Sequence, residues 1–177
     1  KTVHHDFAES LEKAAIYVPY IQKVFEKENI PKELAYLPLI ESDFNVTAYS
    51  KNNAAGMWQF MRTTARHCGL RVDHWVDERL DFEKATHAAA CHLKQLYEEF
   101  GSWYLAAAAY NAGEIMVKNA ICKNGSRDFW SINKRKHLKC ETVNFVPQLI
   151  AVITIAKNPR AYGFASVRCD RPFIYET

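Results

Sequence analysis

The segment Asp81-Phe82-Glu83-Lys84-Ala85-Thr86-His87-Ala88-Ala89-Ala90-Cys91-His92-Leu93-Lys94-Gln95-Leu96-Tyr97-Glu98-Glu99-Phe100-Gly101 carries a single pattern from end to end. Phe82, Ala85, Ala89, Leu93 and Leu96 recur at three- and four-residue steps. That spacing lines one face of an α-helix, whereas a strand alternates every second residue. Asp81 suits the cap before the first turn, where a carboxylate oxygen accepts from an otherwise unpaired N–H. Gly101 suits the left-handed residue that closes a helix. The segment predicts a long helix with one apolar face to bury.

The same period extends in both directions. Ser102 stands where a cap is needed for a helix over Trp103–Tyr110, and Thr142 where one is needed for the apolar run that ends at Asn158-Pro159. Upstream, Phe7, Leu11, Ala14, Ala15, Val18 and Ile21 trace another helical stripe, extended by Val24 and Phe25. Pro31 fits the first helical position before Leu34–Ile40, where its missing N–H costs nothing. No stretch alternates convincingly in the manner of a strand, so a mostly α globule is expected.

At 177 residues the chain is most simply one domain, residues 1–177, long enough to bury a core. Its 49% hydrophobic and 24% charged residues are those of a globular protein and argue against disorder. The longest apolar run, Leu149 to Ala156, is far short of a membrane span. The net charge of +3 is mild. Lys123, Arg127, Lys134, Arg135, Lys136, His137 and Lys139 gather in one basic segment, which reads either as a solvated loop or as a docking surface for an acidic polymer. Nothing else resembles a groove-reading element, so nucleic acid is not expected as a partner.

Five cysteines, at 68, 91, 122, 140 and 169, are many for this length and leave one over if four pair. Cys122 and Cys140 bracket the basic segment and are the expected pair, closing a loop for roughly 3 kcal/mol. No spacing fits zinc. His87 and Cys91 lie four apart on one helix, but two ligands do not make a site, and His4 and His5 have no partners. The sequence begins at Lys1 without a charged and apolar leader, so a signal has been removed or the sequence begins internally.

Glu41 is the residue that points to chemistry. It closes the nearly apolar stretch Leu34-Ala35-Tyr36-Leu37-Pro38-Leu39-Ile40, a setting that disfavours the charged form and tends to keep a proton on the carboxyl. A Glu at pKa ~4.3 is only about 0.2% protonated at pH 7, and one lifted to ~6 about 10%. That difference separates a surface charge from a general acid. The segment that follows, Ser42-Asp43-Phe44-Asn45-Val46-Thr47-Ala48-Tyr49-Ser50, is rich in turn formers, so the helix should stop soon after Glu41. A helix-to-loop junction gives a side chain both an apolar wall and access to a cleft.

Four blocks resemble the lytic transglycosylases of bacterial cell walls, especially the membrane-bound murein transglycosylase D type, and more distantly goose-type lysozyme. They are Glu41-Ser42-x-Phe44 with Ala48 and Ser50 downstream, Ala54-Ala55-Gly56-Met57-Trp58-Gln59, Ala108-Ala109-Tyr110-Asn111-Ala112-Gly113, and the weaker Glu141-Thr142 with Phe145-Val146. The resemblance runs from about Ile30 to about Gly163. It implies a lysozyme-like helical domain with a glycan-binding cleft between helices, one wall being the loop from Phe44 to Met57.

The activity it implies is cleavage of the β-1,4 bond between N-acetylmuramic acid and N-acetylglucosamine in peptidoglycan. By position, Glu41 is then the acid and later the base. Ser50 and Gln59 are polar contacts to the glycan, and Tyr110 supports the acid and the muramyl residue. Asn111 has a substrate or structural duty, and Met61 and Glu141 complete the expected substrate contacts. Trp58, Tyr49, Trp103 and Tyr110 are aromatics that either stack on sugars or belong to the core. No cofactor or metal is implied, the partner is peptidoglycan, the chain is expected to act as a monomer, and the location is extracytoplasmic.

Ordinary glycosidases place two carboxylates about the bond, roughly 5 Å apart for retention or 6.5–9.5 Å for inversion. No second one is evident here: Asp43 lies two residues from Glu41, off its helical face, leaving Glu114 and Glu141 as remote candidates. One acid fits intramolecular transfer to a 1,6-anhydromuramyl end better than hydrolysis. A lysozyme-type hydrolase and a non-catalytic glycan-binding wall protein stay open as alternatives. Two positions depart from the family: Val46 stands where a Pro is common, suggesting a looser loop, and Phe145 where a Tyr is usual.

Overall fold

A computed structural model describes residues 3–134 and 137–164, with side chains from Asp6 onward; Cys169, Arg135 and Lys136 lie outside the described residues. The chain folds as α1 (Val3–Lys27), α2 (Leu37–Ser42), α3 (Arg62–His67), α4 (Phe82–Phe100), α5 (Trp103–Ala112), α6 (Glu114–Asn124), α7 (Phe129–Lys134) and α8 (Cys140–Lys157). Short 3₁₀ turns cover Lys32–Tyr36, Glu78–Leu80 and Pro159–Tyr162. The mostly α expectation holds. Among the described residues extended pairing is confined to the isolated bridges Tyr49–Ala55, Ala55–Phe60 and Val72–Asp77.

Two compact units divide the chain, one running to Ala90 and resuming at Val152, the other Cys91–Ala151. In the first, α1 buries the stripe read from its sequence: Leu11, Ala14, Val18, Ile21, Val24 and Phe25 are all in the core. Pro19 lies inside this helix and has no N–H to give the carbonyl of Ala15. Trp58 is 0% exposed, its ring 5.9 Å from that of Phe25 and its Nε1 donating to Thr86 Oγ1 at 3.2 Å. Trp58 is therefore a core residue rather than a sugar platform. Burying so large a side chain is worth about 1.5–3 kcal/mol, and its single polar atom is satisfied.

The second unit packs the alanine-rich α5 into the core through Leu105–Ala109, together with Val117 and Ala120 of α6, Phe129 and Ile132 of α7, and Val146 and Leu149 of α8. Phe145 is also buried, so the position where the family favours Tyr contributes apolar packing. Trp103 stacks on Tyr97 with ring centroids 4.1 Å apart.

Capping follows the sequence in part. Asp81 Oδ1 accepts from the N–H of Lys84 at 3.0 Å, and the Gly101 N–H donates to Tyr97 O at 2.7 Å, closing α4 as predicted. Ser102 holds the cap position of α5 with its backbone alone, its side chain making no cap bond. Pro31 precedes a 3₁₀ turn rather than the α-helix, and Pro38 occupies the first turn of α2. Thr142 is not a cap. The helix begins two residues earlier at Cys140, and the buried Thr142 hydroxyl turns inward to Asn111. Cys122 and Cys140 are not bridged. Each is exposed on its own helix, and Cys140 Sγ accepts instead from Asn144 Nδ2 at 3.7 Å. No helix of the described residues is long and apolar enough to cross a membrane.

Candidate active site

The helix α2 ends one residue beyond Glu41, as its turn-rich sequel predicts. Asp43 and Phe44 follow with φ of 53° and 56°, both left-handed, and the Phe44 N–H returns to Pro38 O at 3.3 Å. Two consecutive non-glycine residues in this region are strained, at a cost of about 1–3 kcal/mol each, and persist because their surroundings hold them. Asp43 Oδ1 accepts from the buried Ser10 at 3.0 Å, and Phe44 is buried with its ring parallel to that of Tyr17 at 6.2 Å. Glu41 is left half-buried at the junction, between apolar helix and polar loop.

The loop after Glu41 is well tied. Asn45 Oδ1 accepts from both the N–H and the Oγ1 of Thr47 at 3.0 Å, so an Asx turn supplies the restraint that Val46 does not. Ser42 Oγ donates to Met57 O at 2.7 Å, and the Gly56 N–H donates to Ala48 O at 2.8 Å. The first two sequence blocks are thus brought together. Ser50 Oγ accepts from the N–H groups of Asn52 (3.2 Å) and Ala54 (3.0 Å), which leaves its hydroxyl hydrogen as a donor. Gln59, itself at φ 49°, donates Nε2 to Gly56 O at 2.8 Å and keeps its carbonyl oxygen as an acceptor. Met61 precedes α3 and is nearly half exposed, an apolar surface at the end of the same turn.

Arg79 is the residue that the sequence did not reveal. It is 3% exposed, pairs with Asp77 Oδ2 at 2.7 Å, and donates Nη1 to Asn53 O (2.8 Å) and Phe60 O (2.9 Å). The guanidinium so fastens both ends of the Asn53–Phe60 turn. The hydrogen-bonded Arg79 also holds the Asp77 carboxyl below the usual carboxylate range. Gly56, at φ 78°, lies against the Arg79 backbone, where a Cβ would stand 1.8 Å from the carbonyl oxygen. The glycine of the second block is thus required by a close approach of two chain segments. An Arg two residues after an Asp was the available signal, but sequence alone shows neither its burial nor which carbonyls it reaches.

In the second unit, Tyr110 and Asn111 lie on the last turn of α5, both half-buried. The Tyr110 ring is 5.4 Å from that of His92. Thr142 Oγ1 donates to Asn111 Oδ1 at 2.9 Å, which joins the third and fourth blocks and gives Asn111 a structural bond while its amide hydrogens stay available. Glu141 is exposed in the first turn of α8. Glu114 is also exposed, 3.6 Å from Lys118 Nζ.

Residues 19–133 match the family model described as the transglycosylase SLT domain. The chain is 40% identical over 156 residues to membrane-bound lytic murein transglycosylase D of Escherichia coli (strain K12), covering 85% of this chain and 34% of that protein. It is 44% identical over 110 residues to a protein of Alteromonas sp. (strain M-1) named for tributyltin chloride resistance, covering 62% and 53%. A peptidoglycan transglycosylase of Escherichia phage T7 is 41% identical over 124 residues, 68% of this chain and 9% of that one. The chain thus spans about a third of the length of the Escherichia coli relative. With a matching family model over most of its length and the first two blocks tied around Glu41, the chain belongs to the transglycosylase SLT domain family.

Proposed function

We propose that this chain is the catalytic domain of a peptidoglycan lytic transglycosylase with Glu41 as acid and then base. Glu41 gives its proton to the oxygen of the β-1,4 bond, and the bond from that oxygen to C1 of the muramyl unit breaks, releasing the N-acetylglucosamine 4-hydroxyl. The Glu41 carboxylate then takes the proton of the muramyl C6 hydroxyl as that oxygen closes on C1. The product is a 1,6-anhydro end, and Glu41 is protonated again. No water enters, and the sequence of proton transfers calls for no metal or cofactor.

The observation that carries this reading is the half-buried Glu41 on the last turn of α2, with its neighbour Ser42 bonded to Met57 of the second block. A half-buried position beside a polar loop gives the side chain an apolar wall and access to a cleft, and a fixed helix end favours positioned transfer. Ser50 and Gln59 retain polar atoms suited to hydrogen-bond a sugar, Met61 an apolar surface. Tyr110, Asn111 and Glu141 are proposed as further glycan contacts, on the family resemblance of their blocks. Relatives named as a lytic murein transglycosylase and a peptidoglycan transglycosylase support the substrate. Peptidoglycan lies outside the cytoplasm, so the proposed site of action is extracytoplasmic, with the chain acting as a monomer.

Digestion of purified sacculi, followed by mass spectrometry, tests the proposal. Products ending in 1,6-anhydromuramic acid, lighter by one water than hydrolysis products, are expected from the parent and absent from Glu41→Gln. Reducing ends alone would make the protein a hydrolase. Absence of products from the parent, or their persistence in Glu41→Gln, would overturn the role of Glu41.

A further inference from the structure

The turn between Arg71 and Glu78 holds up Trp75, which at 84% exposure is the most exposed large apolar side chain among the described residues. The turn beneath it is closely bonded. Asp73 Oδ1 accepts from the N–H groups of Trp75 (2.7 Å) and Val76 (2.9 Å), and the Asp73 N–H donates to Val76 O at 2.8 Å. Arg71 Nε donates to Asp73 Oδ2 at 2.6 Å, and Arg71 and Glu78 bond each other through Glu78 Oε2 (2.7 Å) and Arg71 O (3.0 Å). The His74 ring stands edge-on to the indole at 4.9 Å.

The base of this turn reaches the loop that follows Glu41. Asp77, bridged to Val72, accepts from the Tyr49 hydroxyl at 3.4 Å and pairs with Arg79, which fastens Asn53 and Phe60. Tyr49 is 61% exposed and adjoins Ser50 in the chain. Two exposed aromatic rings are thus carried on segments that share one carboxylate.

An exposed indole on so constrained a backbone leaves a large apolar face in water, and its ordering cost on binding is largely met in advance. The matching ligand is flat, partly apolar and ringed by hydroxyls, which describes a pyranose. We infer that Tyr49 and Trp75 form an aromatic platform for the glycan strand, a sugar subsite beyond the unit contacted by Ser50. This deepens the proposed function and rests on its glycan substrate. The platform makes the protein prefer long strands to short ones.

The test is equilibrium binding to peptide-free glycan strands, long ones against a tetrasaccharide, on a Glu41→Gln background that prevents turnover. Trp75→Ala should weaken binding of long strands about tenfold and leave the tetrasaccharide nearly unchanged, while Trp75→Phe recovers most of the loss. Tyr49→Ala should act in the same direction. Equal affinity of Trp75→Ala and its parent for long strands, equal losses on both lengths, or no binding of long strands by the Glu41→Gln parent would each overturn the platform. A membrane anchor is the competing role of an exposed Trp. Loss of binding to phosphatidylglycerol vesicles with glycan binding intact would establish that role and overturn the platform. Failure of catalysis reads out separately: Trp75-dependent strand binding without anhydro products from the parent leaves the platform standing and removes the lytic activity.

Discussion

The Ser42 hydroxyl lies 2.7 Å from the carbonyl oxygen of Met57 and donates to it, so the last residue of α2 is bonded to the middle of the Ala54–Gln59 turn. Glu41, one residue earlier, cannot tilt without moving that turn. Ser42→Ala should therefore lower kcat for sacculus cleavage about tenfold with little change in KM, because it loosens positioning rather than substrate contact. The accompanying loss of stability should be about 1 kcal/mol, measured by urea denaturation. An unchanged kcat would show that the bond does not position Glu41 for its proposed role.

Gly56→Ala sets a Cβ against the Arg79 carbonyl, a backbone atom that has little room to yield, and does so at a left-handed φ. Both penalties act together. Thermal and urea unfolding should show destabilisation of about 3 kcal/mol or more, with lytic activity falling in step with the folded fraction.

Asp77 sets part of the acid limit of the fold. Its folded pKa is lowered, chiefly by the hydrogen bond from Arg79, so its contribution is complete above the unfolded value of ~3.9 and is lost as pH falls through the folded one. Stability of the parent should therefore decline below about pH 4. Asp77→Asn should have a shallower acid decline and be less stable at neutral pH by roughly 3 kcal/mol, since Arg79 is left buried without its counter-charge. Denaturant titrations across pH measure both effects. In the neighbouring turn Asp73, held by Arg71 and by the N–H groups of Trp75 and Val76, should titrate at about 2 by NMR.

Thr142→Val removes the hydroxyl that meets Asn111 while keeping the shape of the side chain. Asn111 Oδ1 then loses its partner, at about 1–2 kcal/mol in unfolding free energy. If Asn111 also contacts the glycan, KM should rise, whereas a purely structural Asn111 predicts lowered stability and an unchanged KM.

Helices were legible where one face had to be buried. The α1 and α4 stripes, the Asp81 cap and the Gly101 stop all follow from local pattern, and so does the end of α2 after Glu41. What escaped depends on distant partners. Ser102 and Thr142 have the right side chains for caps, yet the first is not used as one and the second bonds across to Asn111. Trp58 was left open between sugar platform and core, and the packing of Phe25 and the Thr86 hydroxyl decides for the core. The pairing of Cys122 with Cys140 was inferred from proximity in sequence, which does not bring two sulfurs into bonding geometry. The four blocks were visible as blocks, two in each unit. Arg79, which fastens one of them, was hidden because the groups it fastens there are the main-chain carbonyls of Asn53 and Phe60.

On the proposed role of Glu41, the pair of left-handed residues after it would set stability against activity. Asp43→Gly would relieve the φ of 53° and shrink the strain stored beside Glu41, but it would also remove the bond from Ser10, whose hydroxyl keeps only Asp6 O, and with it one tie on the helix end. A screen for heat resistance alone would favour variants that relieve this strain while keeping the Ser10 bond. The positions where it succeeds most easily are then those where turnover is most readily lost.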